Sequence, residues 1–168
     1  MQFSHASDER SKVWDMIKNI RTALFVTHDE DGRMHARPMV VNQQAFEGDL
    51  WFFTDVNSPK IEEIEGKPSV LLAYAEPRDQ EYISVTGTAE VVRDRKKIDE
   101  FWTDALRLWF PRGPGDRSIA LIKVSVSAAE YWDAPSARMV LAYSFAKAGP
   151  ASPAGVRIDI GENKRVVF

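Results

Sequence analysis

The sequence predicts a mainly β protein in which short antiparallel strands form a closed or nearly closed barrel with peripheral helices. Strand patterns recur along the chain, and helices interrupt them instead of alternating with them as in a doubly wound sheet. Pro38 lies inside one strand pattern, where it cannot donate to a ladder and therefore belongs at a sheet edge or a bulge. At 168 residues, the chain is long enough for one domain with a buried core.

The first half of the chain contains two predicted helices and four predicted strands. Val13, Trp14 and Ile17 follow helical spacing, and Ser7 can cap their helix. The acidic, glycine-ended segment 29–32 predicts a hairpin turn between the first two strands. The predicted elements are a helix over 7–20, strands over 22–27, 34–41 and 50–54, a helix over 58–65 and an almost wholly apolar strand over 69–75.

The second half continues with a strand, a helix and another strand. Residues 82–92 alternate cleanly, so Ile83 and Val85 share one face while Ser84 shares the other with the polar residues. Asp94 is suited to cap the helix that follows. The predicted elements are a strand over 82–92, a helix over 95–109, a strand over 120–127 and its continuation over 130–132.

The C-terminal part has a different composition. Residues 135–148 are helical in composition, the prolines and small residues of 149–155 predict a linker, and 156–160 alternate as a short strand. Asn163-Lys164 predicts a turn before 166–168. We expect 1–134 to form the barrel domain with its N-terminal helix, and 135–168 to extend that domain. The tail packs on its own barrel or on a partner, and the sequence leaves both open.

Composition excludes several classes of protein. The chain has no cysteine, which rules out disulfides and thiolate chemistry. No apolar run approaches a membrane span and the start lacks the layout of a signal peptide, so we expect a cytoplasmic protein with no membrane partner. The net charge of −3 predicts no nucleic-acid partner. The three histidines have no metal-ligand spacing, and no phosphate-binding glycine loop or nucleophile elbow occurs.

The most informative segment is 37–64, in which a strand with Arg37 precedes an aromatic-rich strand and a helix that opens Ser58-Pro59-Lys60. Serine is a good N-cap, and proline suits the first helical position. A helix N-terminus attracts anions, yet lysine is unfavourable there by dipole logic. A lysine at this position, facing an arginine, therefore suggests a bound phosphate. The alternative is an ordinary surface helix with a solvated lysine.

The segment resembles the flavin-binding split-barrel superfamily that contains pyridoxamine 5′-phosphate oxidase, and within it the short general stress protein branch. In that superfamily, an arginine-bearing strand is followed by a strand ending Phe-Phe-Thr and by a Ser-x-Lys helix start, as in 37–60 here. The resemblance extends from about Met16 to about Trp132. It implies a six-stranded antiparallel Greek-key split barrel that binds FMN, with FAD as the alternative, in the interface of a homodimer.

The resemblance also implies roles for individual residues. Positions matching Arg37, Thr54, Ser58 and Lys60 hold the FMN phosphate and ribityl chain, and the flavin ring is expected against the backbone of 38–40. Tyr82 resembles a flavin-contacting glutamine position, and Trp132 resembles a tryptophan that reaches the flavin of the other subunit. The full set of expected cofactor-binding residues is Arg37, Pro38, Met39, Val40, Phe53, Thr54, Ser58, Lys60, Tyr82, Trp132 and Arg138.

The leading functional hypothesis is a flavin-dependent oxidoreductase that acts on an unidentified small molecule. A second hypothesis is a flavin-binding stress protein without turnover, such as a carrier or a sensor. A true pyridoxamine phosphate oxidase is a third. Arg138 matches the arginine of that enzyme's substrate-gripping Arg-Leu-His triplet, but Met139 and Val140 replace the rest. The missing histidine argues against the third hypothesis.

Overall fold

The computed structural model describes residues 4–133 and 162–168. This part of the chain forms a mainly β structure with three α-helices and one short 3-10 helix. The elements are α1 Ser4–Ile20, β1 Thr22–His28, β2 Met34–Val40, β3 Asp49–Asp55, α2 Pro59–Gly66, β4 Ser69–Glu76, β5 Glu81–Val92, α3 Arg95–Phe101, the 3-10 helix Asp104–Leu108, β6 Ile119–Asp133 and β7 Glu162–Val167. None of the helices in the described ranges is long and apolar enough to cross a bilayer.

The strands form one antiparallel sheet that curls without closing. Its order is β2-β1-β4-β5-β6-β3, and β7 pairs with the second half of β6. The end strands β2 and β3 come into contact, but in the described part of the chain no ladder joins them. This unpaired boundary, the seam, makes the barrel a split one and confirms the predicted fold class. β7 is an addition to the six predicted strands.

The barrel interior is filled by the inward faces of the strands and by α1. Phe25 and Phe52 are fully buried and meet edge to face, with ring centroids 5.3 Å apart. Ile17 of α1 is 2% exposed and joins the same core. Strand β5 buries the predicted face, which includes Ile83 and Val85. The alternation read from the sequence therefore sets the inside and outside of the barrel.

Residues 93–118, here called the excursion, connect β5 to β6. A second apolar cluster lies where the excursion packs on the sheet. Ile98, Ile119 and Leu121 are fully buried there. Phe53 of β3 contacts Trp102 and Phe110 of the excursion, with ring centroids 6.0 and 6.4 Å apart. Residues 93–118 are thereby fixed against β3 and β6.

Pro38 confirms its predicted place at a sheet edge. It lies on β2, which among the described strands pairs with β1 alone, and its cross-strand neighbour there is Leu24. The missing proline N–H therefore leaves no gap in an interior ladder.

Two predicted helix bounds are wrong. The helix predicted over 95–109 ends at Phe101, because Trp102 and Thr103 are extended, and a 3-10 helix follows. Trp102 leaves the helical path and packs against Phe53, so tertiary packing overrides the helical pattern. Helix α1 begins at Ser4, three residues before the predicted cap at Ser7.

The C-terminal residues 162–168 return to the barrel of the same chain. The predicted turn at Asn163-Lys164 is wrong, because both residues continue β7 and pair with Trp132 and Tyr131. Val166 is 3% exposed in the core. The Arg10 guanidinium donates to the carbonyl oxygen of Val167 over 3.0 Å, which ties α1 to β7. The predicted helix 135–148, linker 149–155 and strand 156–160 lie outside the described residues.

We predict that Gly87→Ala destabilises the fold. The pairing of β5 with β6 shifts register at Gly87, and an added Cβ would lie 2.5 Å from the carbonyl oxygen of Ser125 and 2.9 Å from the Val124 side chain. Overpacking of this kind costs about 1–3 kcal/mol. Urea unfolding measures the loss, and Gly66→Ala is the control because open space surrounds Gly66. Equal midpoints for the two variants would contradict the prediction.

Candidate functional site

A cavity of about 320 Å³ opens at the seam between β2 and β3. Strand residues form one side of it, and the segment after α3 forms the other. The lining residues are Pro38, Met39, Val40, Asn42, Phe53, Thr54, Asp55, Lys60, Ala105, Leu106, Trp109 and Phe110. Most of this wall is apolar, and its charged groups, Asp55 and Lys60, lie where β3 ends and α2 begins.

Lys60 provides the cationic group of the cavity. Its ammonium group donates to Thr54 Oγ1 over 3.0 Å, and it forms no ion pair with any carboxylate of the described ranges. Burial and the nearby Arg37 guanidinium lower the pKa of Lys60, although Asp55 and Glu63 oppose the shift. A half-buried cation under repulsion from a second cation favours a bound anion.

The start of α2 presents this lysine. Pro59 occupies the first helical turn as predicted, but Ser58 makes no capping hydrogen bond with its side chain. Ser58 stands in an extended conformation before the helix, and its backbone N–H donates to the Asp55 carbonyl oxygen over 3.0 Å. The Ser58 hydroxyl therefore has no capping role, which corrects that part of the prediction.

Arg37 belongs to a hydrogen-bonded group with Thr27 and Glu63. Its guanidinium donates to Thr27 Oγ1 over 2.7 Å and to Glu63 Oε2 over 3.0 Å, and Thr27 in turn bonds to the Glu63 carboxylate. Glu63 is 11% exposed and Arg37 is 24% exposed. Burial raises the pKa of Glu63, but the hydrogen bonds from Thr27 and Arg37 outweigh it and hold the pKa below its ordinary value.

The structure brings most of the predicted site residues together. Pro38, Met39, Val40, Phe53, Thr54 and Lys60 line the cavity, and Arg37 is close enough to Lys60 to lower its pKa. Arg37 itself is absent from the lining and bonds to Glu63 instead.

Tyr82 and Trp132 lie elsewhere on the same sheet. They are cross-strand partners on β5 and β6. Neither residue lines the seam cavity. Arg138 lies outside the described residues.

Sequence reasoning missed the wall opposite β2. Ala105, Leu106, Trp109 and Phe110 form it, and Trp109 is 62% exposed rather than part of a core. The predicted helix over 95–109 concealed this wall, because it placed Ala105, Leu106 and Trp109 on one continuous helix, whereas the helix ends at Phe101.

The fold and the site together define a split barrel with a mainly apolar cavity at its seam, Lys60 at one end of that cavity and Arg37 close to Lys60. The pyridoxamine 5′-phosphate oxidase-like family matches residues 8–151, most of the chain. The chain therefore belongs to the pyridoxamine 5′-phosphate oxidase-like family.

Solved structures of similar proteins share the fold of this chain. A protein named as a general stress protein 26 from Jannaschia sp. CCS1 has a TM-score of 0.74 and 24% identity, covering 96% of this chain and 99% of its own. General stress protein 26 of Bacillus anthracis str. Sterne has a TM-score of 0.65 and 29% identity, covering 73% of this chain and 92% of its own. The general stress FMN/FAD binding protein of Xanthomonas citri has a TM-score of 0.66 and 23% identity, covering 92% and 99%.

A curated relative matches over a shorter region. Protein bli-3 of Neurospora crassa is 26% identical over a 91-residue alignment that covers 49% of this chain and 44% of bli-3. The match spans less than half the length of that relative.

We predict that the Glu63 carboxylate stabilises the fold in a pH-dependent way. A carboxylate whose folded pKa is lowered contributes stability above its unfolded pKa, and this contribution is lost as the pH falls through the folded value. Glu63→Gln keeps the shape but not the charge. The gap in unfolding free energy between wild type and variant should shrink below the ordinary glutamate pKa of 4.5. Urea titrations at neutral and acidic pH measure it, and a constant gap would contradict the prediction.

Proposed function

We propose that this protein binds FMN in the seam cavity and is a flavin-dependent oxidoreductase acting on a small molecule. The observation that carries the proposal is Lys60, a half-buried cation without a carboxylate partner in the described ranges, at the charged end of an otherwise apolar cavity. An apolar slot with a few polar groups at one end suits a planar ligand that bears a phosphate. Membership of the family and the FMN/FAD binding protein of Xanthomonas citri add to this support.

The residues present fit the phosphate end of FMN. Lys60 and Thr54 face the cavity, and Arg37 lies close behind them with guanidinium donors beyond the two bonds that it makes to Thr27 and Glu63. Charge-assisted hydrogen bonds of this kind are the strong ones for a phosphate dianion. The role of this end is to bind and orient the cofactor.

The edge of β2 fits the ring of the flavin. Backbone groups of 38–40 that do not pair with β1 face the seam, and Pro38 and Val40 add apolar surface there. Bound flavin would supply electron transfer at this edge. The chain would exclude water from the ring through the apolar side chains on both sides of the cavity.

We further propose that two copies of the chain form the working unit. The outer face of the sheet carries large apolar side chains, with Leu24 51% exposed, Met34 70% exposed and Trp132 36% exposed. Exposed apolar patches mark interfaces, and two-fold dimers are the commonest soluble oligomers. Trp132 is absent from the cavity lining of its own protomer, and in the proposed dimer it reaches the flavin of the partner.

We predict that Lys60→Ala weakens FMN binding at least tenfold, about 1.4 kcal/mol, because a charge-assisted contact to the phosphate is lost. Riboflavin, which lacks the phosphate, should bind the wild type poorly and respond little to the variant. Arg37→Ala should also weaken FMN binding at least tenfold. Flavin fluorescence titration measures all of these affinities.

Lys96→Ala is the control for these variants, because it removes an exposed lysine that is absent from the cavity lining. Arg37→Ala also leaves Glu63 without its cation, so its melting temperature is measured alongside. Equal affinity of the wild type for FMN and riboflavin would refute the phosphate site.

We predict that FMN raises the melting temperature of a dimer, since a ligand that binds only the folded assembly stabilises it. Trp132→Ala should weaken flavin binding while leaving the barrel folded. Sedimentation with and without FMN gives the assembly state, and circular dichroism checks the variant. A monomer that binds FMN tightly at all concentrations would remove the role of the partner's tryptophan.

Turnover is tested separately from binding. Steady-state assays of the FMN-loaded protein with NADH or NADPH and an electron acceptor show whether the flavin cycles. Flavin that binds but does not cycle would leave a carrier or sensor as the function. Parallel titrations with FAD decide which flavin this chain prefers.

A further inference from the structure

Trp109 borders the seam cavity but is not packed against the protein. It is 62% exposed, and no aromatic ring or cation in the described ranges stacks on it. Its neighbours are packed, since Leu106 is 4% exposed and Phe110 packs on Phe53. A large side chain left exposed at a cavity rim is available to a ligand.

The segment that carries Trp109 is anchored on both sides. Before it, Trp102 packs against Phe53 with ring centroids 6.0 Å apart. After it, the Arg95 guanidinium donates to the carbonyl oxygens of Pro114, Asp116 and Ile119 over 3.3, 2.9 and 3.2 Å. The backbone that carries the indole is therefore held beside the cavity by fixed structure, which is the condition for a binding wall.

The chemistry of this wall determines which ligand groups can bind against it. Ala105, Leu106, Trp109 and Phe110 are all apolar, and the charged lining residues Asp55 and Lys60 belong to the polar end. The facing side consists of β2 with Pro38 and Val40. A flat apolar ring between these two sides buries surface on both faces, and aromatic pairs add about 0.5–1.5 kcal/mol to that burial.

We propose that Trp109 is a stacking platform for a planar conjugated ring that enters the seam cavity. This ring is either the isoalloxazine of the flavin or the ring of an aromatic substrate that binds beside the flavin. The inference rests on the proposed function, because it assigns one wall of the same site.

The first arm of the test titrates riboflavin and FMN into flavin-free full-length protein and follows flavin fluorescence. If the flavin ring stacks on Trp109, Trp109→Ala weakens both ligands by the same factor, roughly three- to tenfold. Trp109→Phe keeps an aromatic surface and restores most of the affinity. This pattern differs from that of Lys60→Ala, which weakens FMN alone.

The second arm measures retention of 1,4-naphthoquinone by FMN-loaded protein in equilibrium dialysis. If an aromatic substrate stacks on Trp109, the wild type and Trp109→Phe retain the quinone, Trp109→Ala loses it, and flavin affinity stays unchanged. Leu108→Ala is the matched control in both arms, because Leu108 is 79% exposed, adjacent in sequence and absent from the cavity lining. Circular dichroism melting checks that each variant is folded.

The outcomes separate this inference from the proposed function. Flavin binding that is equal in wild type and Trp109→Ala, together with equal quinone retention, overturns the platform while leaving a flavin site. An effect of Leu108→Ala as large as that of Trp109→Ala overturns it as well. A wild type that binds no flavin defeats the proposed function, and dialysis of naphthoquinone against the flavin-free protein and its variants then decides the role of Trp109.

Discussion

The unpaired boundary between β2 and β3 is the constraint on which the candidate site depends. Within residues 4–133 and 162–168, each of these strands has one hydrogen-bonded neighbour, β1 for β2 and β6 for β3, so the position of both edges is fixed by the rest of the sheet. A ladder between them would close the barrel and fill the space that the cavity occupies. Pro38 disfavours such a ladder, because it has no N–H to donate. The opening therefore follows from the strand pairing and from Pro38 in β2.

The alternation of side chains along β3 connects the seam to both the apolar wall and the cationic end of the site. Phe53 packs on Trp102 and Phe110, which attaches the excursion 93–118 and brings its apolar wall to the cavity. The next residue, Thr54, is buried on the opposite face and accepts a hydrogen bond from Lys60. Two adjacent residues of one strand thus position the apolar wall and the cationic end, since neighbouring side chains point to opposite faces.

Local patterns allowed much of this structure to be predicted. Period-two alternation predicted the strands, and Pro38 predicted the sheet edge. The Ser-Pro-Lys sequence predicted the start of α2 with Lys60 in it. The group formed by Arg37, Thr27 and Glu63 was not predictable, because its members come from three elements whose docking no local pattern describes. The wall with Trp109 was missed because the helical pattern of 95–109 yields to packing at Trp102.

Charge at the polar end explains why composition gave no hint of an anion site. Arg37 and Lys60 are balanced in number by Glu63 and Asp55, so the formal charge of these four groups sums to zero. In the proposed flavin site, attraction for a phosphate comes from arrangement: Lys60 lines the cavity, whereas Glu63 bonds to Arg37 and Thr27. The Glu63 carboxylate stabilises Arg37, because a half-buried guanidinium without a counter-ion would be costly. A phosphate in this site would meet Lys60 directly and Arg37 through the guanidinium donors that Thr27 and Glu63 leave free.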